Sequence, residues 1–133
     1  MDTLSKVRKR EEQIIRHISW AEVVILTNKI VEQIKHLPIQ NVYGLPRGGL
    51  VPATLLSHKL DVPLLMDEKQ ITKDTLIIDD ILDSGETMQM FLSRLTEQPT
   101  VVGTLCYKER SVVVPSVFGK EENNKSWIEF PWE

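Results

Sequence analysis

Three carboxylates, Asp79, Asp80 and Asp83, stand within residues 75–87 (TLIIDDILDSGET), directly after the apolar run Leu76, Ile77 and Ile78. Two adjacent acids at the end of a buried strand suit vicinal hydroxyls or a hydrated magnesium ion. Ser84, Gly85, Glu86 and Thr87 then make a turn, and residues 88–95 read as the helix behind it. A helix entered this way offers free backbone N–H groups and a positive dipole end to a phosphate, with the Ser84 and Thr87 hydroxyls as further donors. Glu86 is an acid inside such a cradle, so its carboxylate is expected to turn to solvent while its N–H serves. The plainer reading, a strand–turn–helix capped by Asp83 or Ser84 with solvated acids, accounts for less of the run.

A second segment, residues 41–50 (NVYGLPRGGL), is another short strand entering a turn built from Pro46, Arg47, Gly48 and Gly49. Glycines permit close backbone approaches that side chains block, and Arg47 supplies a forked cation for phosphate oxygens. Alone, such a turn is common in α/β proteins. At a βαβ distance from the three acids it points to a divided phosphate-binding site.

The elements that must position these turns follow from periodicity. Ser19 caps a helix to about Lys35, with Glu22 three residues on and Val23, Val24, Leu26, Thr27, Ile30, Val31 and Ile34 at helical spacing. Next come a strand over 42–45, a helix over 51–60, a strand over 62–66, a polar link over 67–74, a strand over 75–79 and a helix from Thr87 to about Glu97. Strands over 101–107 and 112–118 complete the pattern. The alternation predicts an α/β fold, one parallel sheet with helices on both faces, in which both turns fall at carboxyl ends of strands. Residues 1–18 are charge-rich and read as a solvated arm or helix, with 19–133 as the single domain.

Composition narrows the function classes. A chain of 133 residues with 41% hydrophobic and 26% charged content is sized for one globular domain. The net charge of −3 argues against a nucleic-acid partner, for which a basic face is expected. No apolar run approaches a membrane span of roughly 20 residues, and the charged start lacks a signal-peptide core, so a cytoplasmic, non-membrane protein is expected. Cys106 is the single cysteine and reads as a buried strand residue, excluding an intrachain disulfide. His17, His36 and His58 have no metal-site spacing, Trp20 and Trp132 read as core or interface residues, and Lys69 and Lys73 as solvated.

The 75–87 run resembles the phosphoribosyl pyrophosphate (PRPP) motif of the type I phosphoribosyltransferases, and residues 41–50 are similar to that family's pyrophosphate loop. Lys108, within YKERS, and Trp127 and Ile128, within SWIEFPWE, resemble the base-binding residues of its 6-oxopurine, xanthine-guanine members. The resemblance implies a single-domain type I fold. It also implies transfer of the phosphoribosyl group from PRPP to a purine (guanine, xanthine or hypoxanthine), giving a nucleoside monophosphate and pyrophosphate, as in purine salvage. It assigns magnesium to Asp79 and Asp80, directly or through water, and proton transfer at N7 of the base to Asp83. It gives the ribose and 5′-phosphate to Asp79, Asp80 and residues 83–87 (Asp83, Ser84, Gly85, Glu86 and Thr87). The pyrophosphate goes to Pro46, Arg47, Gly48 and Gly49, with a cis peptide between Pro46 and Arg47. By position, Lys108 donates to O6 of the base, Trp127 stacks on the ring, a contact worth roughly 1–3 kcal/mol, and the Ile128 carbonyl meets the 2-position. Taken alone, Lys108 reads as a surface lysine and Trp127 equally as a packed one; their order after the acids gives the base-binding reading. A homo-oligomer, dimer or tetramer, is implied as well. The 67–74 link is shorter than the mobile loop that closes over PRPP in the resembled family, so the alternative is a weakly active or inactive PRPP- or nucleotide-binding regulator.

Overall fold

A computed structural model describes residues 14–133, and the amino-terminal arm before Ile14 lies outside the described residues. Five parallel strands make the main sheet: β2 (Asn41–Gly44), β3 (Leu64–Leu65), β4 (Thr75–Leu82), β5 (Val101–Tyr107) and β6 (Val117–Glu121), in the order β3-β2-β4-β5-β6. Its central strands are apolar almost throughout because helices cover both faces. Helices α1 (Trp20–Ile34) and α2 (Leu50–Leu60) lie on one face, where Leu26, Ile30, Ala53 and Leu56 bury against Val42, Leu76, Ile78 and Leu105. Helix α3 (Glu86–Ser93) covers the other, with Met88 and Phe91 against Tyr43, Ile77 and Val102, and the Tyr43 and Phe91 rings stack at 5.4 Å. Alternate residues of β2 and β4 thus serve opposite cores, as a period of two requires.

Helix α1 begins where its cap predicts: the Ser19 hydroxyl oxygen accepts from the Glu22 N–H at 3.1 Å. The Glu22 carboxylate does not complete a capping box; it pairs with Arg16, which also donates to the buried Glu122 at 2.7 Å. Cys106 is fully buried in β5 as expected, and its thiol pKa is pushed up to about 12 by burial and, second, by Glu122.

Several local expectations are corrected. Residues 14–17 are neither helix nor frayed arm but strand β1 (Ile14–His17), which pairs in parallel with β7 (Ser126–Glu129), Ile14 opposite Ser126. A partner more than a hundred residues away supplies its hydrogen bonds, and no local pattern encodes that. Strand β6 begins at Val117, not Val112, because residues 111–113 are drawn back onto the turn at Gly85. The strand over 62–66 shrinks to Leu64–Leu65. The link holds a 3-10 turn (Glu68–Gln70) capped by Asp67, with Ile71 buried against the α3 face.

Strand β4 also runs on past Asp79 to Leu82. Asp79 pairs with Thr104 and Ile81 with Cys106 on the β5 side, whereas β2 ends at Gly44 opposite Ile78. The acids therefore lie inside β4, at the point where its other neighbour leaves the sheet. Since β2 connects onward to β3 on one side and β4 lies on the other, this is the topological switch point, where open α/β sheets form their ligand crevice.

Candidate active site

The turn that leaves β2 fills the gap beside the acids. Leu45 N–H donates to the Ile78 carbonyl at 3.0 Å and Gly49 N–H to the Leu45 carbonyl at 2.8 Å, folding the chain back into α2. Pro46 and Arg47 are exposed at the tip, and the peptide between them is cis, as the resemblance implies. Gly48 lies so close to β4 that a Cβ there would stand 2.3 Å from Asp80 Oδ2. Only glycine lets the turn and the carboxylate share this space. Arg47, Gly48 and Asp80 open into one cavity of about 820 Å³, closed on another side by Trp132 and Glu133. Trp132, expected in the core or at an interface, packs against the main core. It lies half-buried at the cavity, stacked on Phe130 at 5.0 Å, and its buried indole N–H has no partner among the described residues.

Asp80 is 8% exposed and Asp79 half-buried. Asp79 Oδ1 accepts from the Asp80 N–H and Asp80 Oδ1 from the Ile81 N–H, both at 2.8 Å, so both carboxylates are held. Burial, and then the neighbouring Asp80 carboxylate, push the Asp79 pKa up from 3.8 to about 8. A pair of acids so short of positive charge fits a cation. No cluster of three or more His, Cys, Asp or Glu able to hold a metal occurs among the described residues, and the three histidines are exposed. The donor set is that of magnesium held by one or two carboxylates together with substrate oxygens, rather than by a protein cage.

Beyond the acids, Gly85 adopts φ 79° at the start of α3, a left-handed conformation that favours glycine. A Cβ on it would meet Ser111 Oγ at 2.3 Å, and Val112 N–H donates to the Ser84 carbonyl at 2.8 Å. Ser84, Glu86 and Thr87 are exposed, Glu86 pointing outward as expected, and the Glu86 N–H bonds Ser84 Oγ at 3.3 Å.

Asp83 meets Lys108, whose Nζ donates to Oδ2 at 3.3 Å and to the Ser126 carbonyl. Lys108 is only 1% exposed, which overturns the reading of it alone as a surface lysine. Its ammonium ties the acid at the end of β4 to the start of β7, where Trp127 is half-buried and Ile128 packs in the core. Sequence reasoning missed Arg110, whose Nε donates to Asp83 Oδ1 at 2.7 Å. Its position two residues after Lys108 in an irregular loop was the available signal, but the pairing spans 27 residues. The structure thus forms two groups, Arg47–Gly48–Asp80 at the cavity and Asp83–Lys108–Ser126 beside β7, joined by β4.

No family model matches the chain. Among curated proteins it is 27% identical to the xanthine-guanine phosphoribosyltransferase of Idiomarina loihiensis, over 87% of this chain and 85% of that one. Among solved structures, a purine phosphoribosyltransferase from Pyrococcus horikoshii superimposes with a TM-score of 0.75 at 25% identity, covering 90% of this chain and 94% of that one. The Helicobacter pylori xanthine-guanine-hypoxanthine phosphoribosyltransferase has a TM-score of 0.78 at 20% identity, covering 90% and 93%. No helix of the described residues is long and apolar enough to cross a membrane. In sequence the chain is similar to xanthine-guanine phosphoribosyltransferases, and it shares the type I phosphoribosyltransferase fold of the solved purine phosphoribosyltransferases.

Proposed function

We propose that the protein transfers the 5-phosphoribosyl group of PRPP to a 6-oxopurine, releasing pyrophosphate and a nucleoside monophosphate. The observation that carries this is the contact of Gly48 with the Asp80 carboxylate, which puts the Arg47 turn and Asp80 on one cavity at the switch point, with Asp79 next to Asp80 in β4. In the reaction a purine nitrogen bonds to the anomeric carbon as the bond from that carbon to pyrophosphate breaks, with positive charge building on the ribose and negative charge on the leaving group. Arg47 and the amides of its turn stabilise the leaving pyrophosphate. Asp79 and Asp80 hold the ribose hydroxyls, and with substrate oxygens they would hold magnesium, which when bound would supply charge neutralisation at the leaving group. Ser84, Gly85, Glu86 and Thr87 anchor the 5′-phosphate through backbone N–H groups and hydroxyls. Asp83 takes the proton at N7 of the base, Lys108 favours an oxygen over an amine at the 6-position, and Trp127 and the Ile128 carbonyl complete the base site.

One observation favours a second reading, a PRPP- or nucleotide-binding regulator with little turnover. The 67–74 link is docked rather than free: Ile71 is buried, Glu68 pairs with Arg94 at 3.0 Å, and Lys73 N–H bonds Glu97. A link held at three points is poorly suited to closing over a substrate. Pyrophosphate release from PRPP with magnesium, measured across guanine, xanthine, hypoxanthine, adenine, uracil and orotate, separates the two, with PRPP binding followed by calorimetry. Release with a 6-oxopurine is the expected result; tight PRPP binding without release from any base gives the regulator, and neither signal overturns both.

A further inference from the structure

Asp83 carries a cation on each carboxylate oxygen, Lys108 on Oδ2 and Arg110 on Oδ1. The two differ in freedom. The Lys108 side chain is 1% exposed, its ammonium also bonded to the Ser126 carbonyl and its N–H to the Leu82 carbonyl at 2.9 Å. The Arg110 side chain is 45% exposed, lies on the loop after β5, and bonds no other group among the described residues. A ligand N–H directed at Asp83 therefore meets a fixed cation on one oxygen and a movable one on the other.

We propose that Arg110 gates the base site: a purine seats by exchanging its N7–H for the guanidinium at Asp83 Oδ1, while Lys108 keeps Oδ2 and with it the orientation of the carboxylate. The inference rests on the reading of Asp83 as the group that meets N7. Arg110 is then a positioning residue. It satisfies Asp83 while the site is empty; a base with a donor at that edge takes its place, whereas a base with an apolar edge leaves the guanidinium on Oδ1, because displacing it would strand the carboxylate oxygen without a partner.

Two guanine analogues separate donor exchange from simple obstruction. 9-Deazaguanine carries N–H at position 7 and has carbon where the glycosidic bond would form; 7-deazaguanine has C–H at position 7. Binding of each to the wild type, Arg110→Gln, Asp83→Asn and the double variant is measured by calorimetry with PRPP and magnesium present. Arg110→Gln should tighten 9-deazaguanine about two- to fivefold, the equivalent of a half-exposed ion pair, and leave 7-deazaguanine within about twofold. In the Asp83→Asn background the same substitution should have no effect on either. An unchanged or weakened affinity for 9-deazaguanine in Arg110→Gln overturns the gate, as does equal tightening of both analogues. If PRPP binds but neither analogue binds the wild type, the base-site reading of Asp83 fails and takes the gate with it, a result distinct from a gate that fails while binding persists.

Discussion

Replacing Asp79 by Asn tests the electrostatics of the acid pair in the absence of any ligand. Burial, and second Asp80, raise the Asp79 pKa from 3.8 to about 8, so the neutral carboxyl is the form the fold prefers. A group whose folded pKa is raised contributes stability in full below its unfolded value and loses it as pH rises through the folded value. The wild type should therefore lose stability between about pH 4 and pH 8. At about 1.4 kcal/mol per pH unit the loss has a ceiling of roughly 5–6 kcal/mol, and relaxation and water entry reduce the expected figure to about 1–3 kcal/mol. Asn keeps the side-chain oxygen that accepts the Asp80 N–H and carries no charge at any pH. Urea unfolding in EDTA at pH 5 and pH 8 is the assay. Asp79→Asn should match the wild type at pH 5 within about 1 kcal/mol and exceed it by about 1–3 kcal/mol at pH 8. Millimolar magnesium should stabilise the wild type at pH 8 and leave the variant unmoved, since only the ionised pair attracts the cation. A variant less stable than the wild type at pH 8, or one that keeps the same pH slope, would refute the placement of a proton on Asp79.

Gly48→Ala should weaken PRPP–magnesium binding by at least about tenfold in calorimetry, because a methyl group 2.3 Å from Asp80 Oδ2 must displace the turn or the acid. Native-like affinity would mean that the two need not touch in the working site. Lys108→Met removes the donor to Asp83 and to the Ser126 carbonyl and should lower stability by about 2–3 kcal/mol in urea unfolding; a loss under about 0.5 kcal/mol would show that the buried ammonium is dispensable. Glu86→Gly should leave turnover and PRPP affinity within about twofold, since Glu86 is exposed on the first turn of α3 and offers the site only its N–H. A larger drop would place the carboxylate in the site.

The parallel sheet was legible in the chain because apolar runs bounded by glycine turns alternate with helical periodicity, and both signals are local. The caps and helices follow for the same reason: Ser19 closes its bond within three residues, and Leu50–Leu60 begins directly after its glycines. The two turns were legible as motifs, since a glycine turn and an acid pair are written in consecutive residues. What they do together was decided by tertiary structure. Strand β4 runs through its acids because β5 continues to pair with it, and the crevice forms because β2 does not, a difference of register between strands that no single segment carries. The β1–β7 pairing, the return of residues 111–113 onto Gly85, and the placement of Lys108 in the interior likewise depend on partners distant in sequence. Lysine and arginine two residues apart look alike in a sequence. Only the fold buries Lys108 and leaves Arg110 half-exposed, with both cations on the Asp83 carboxylate.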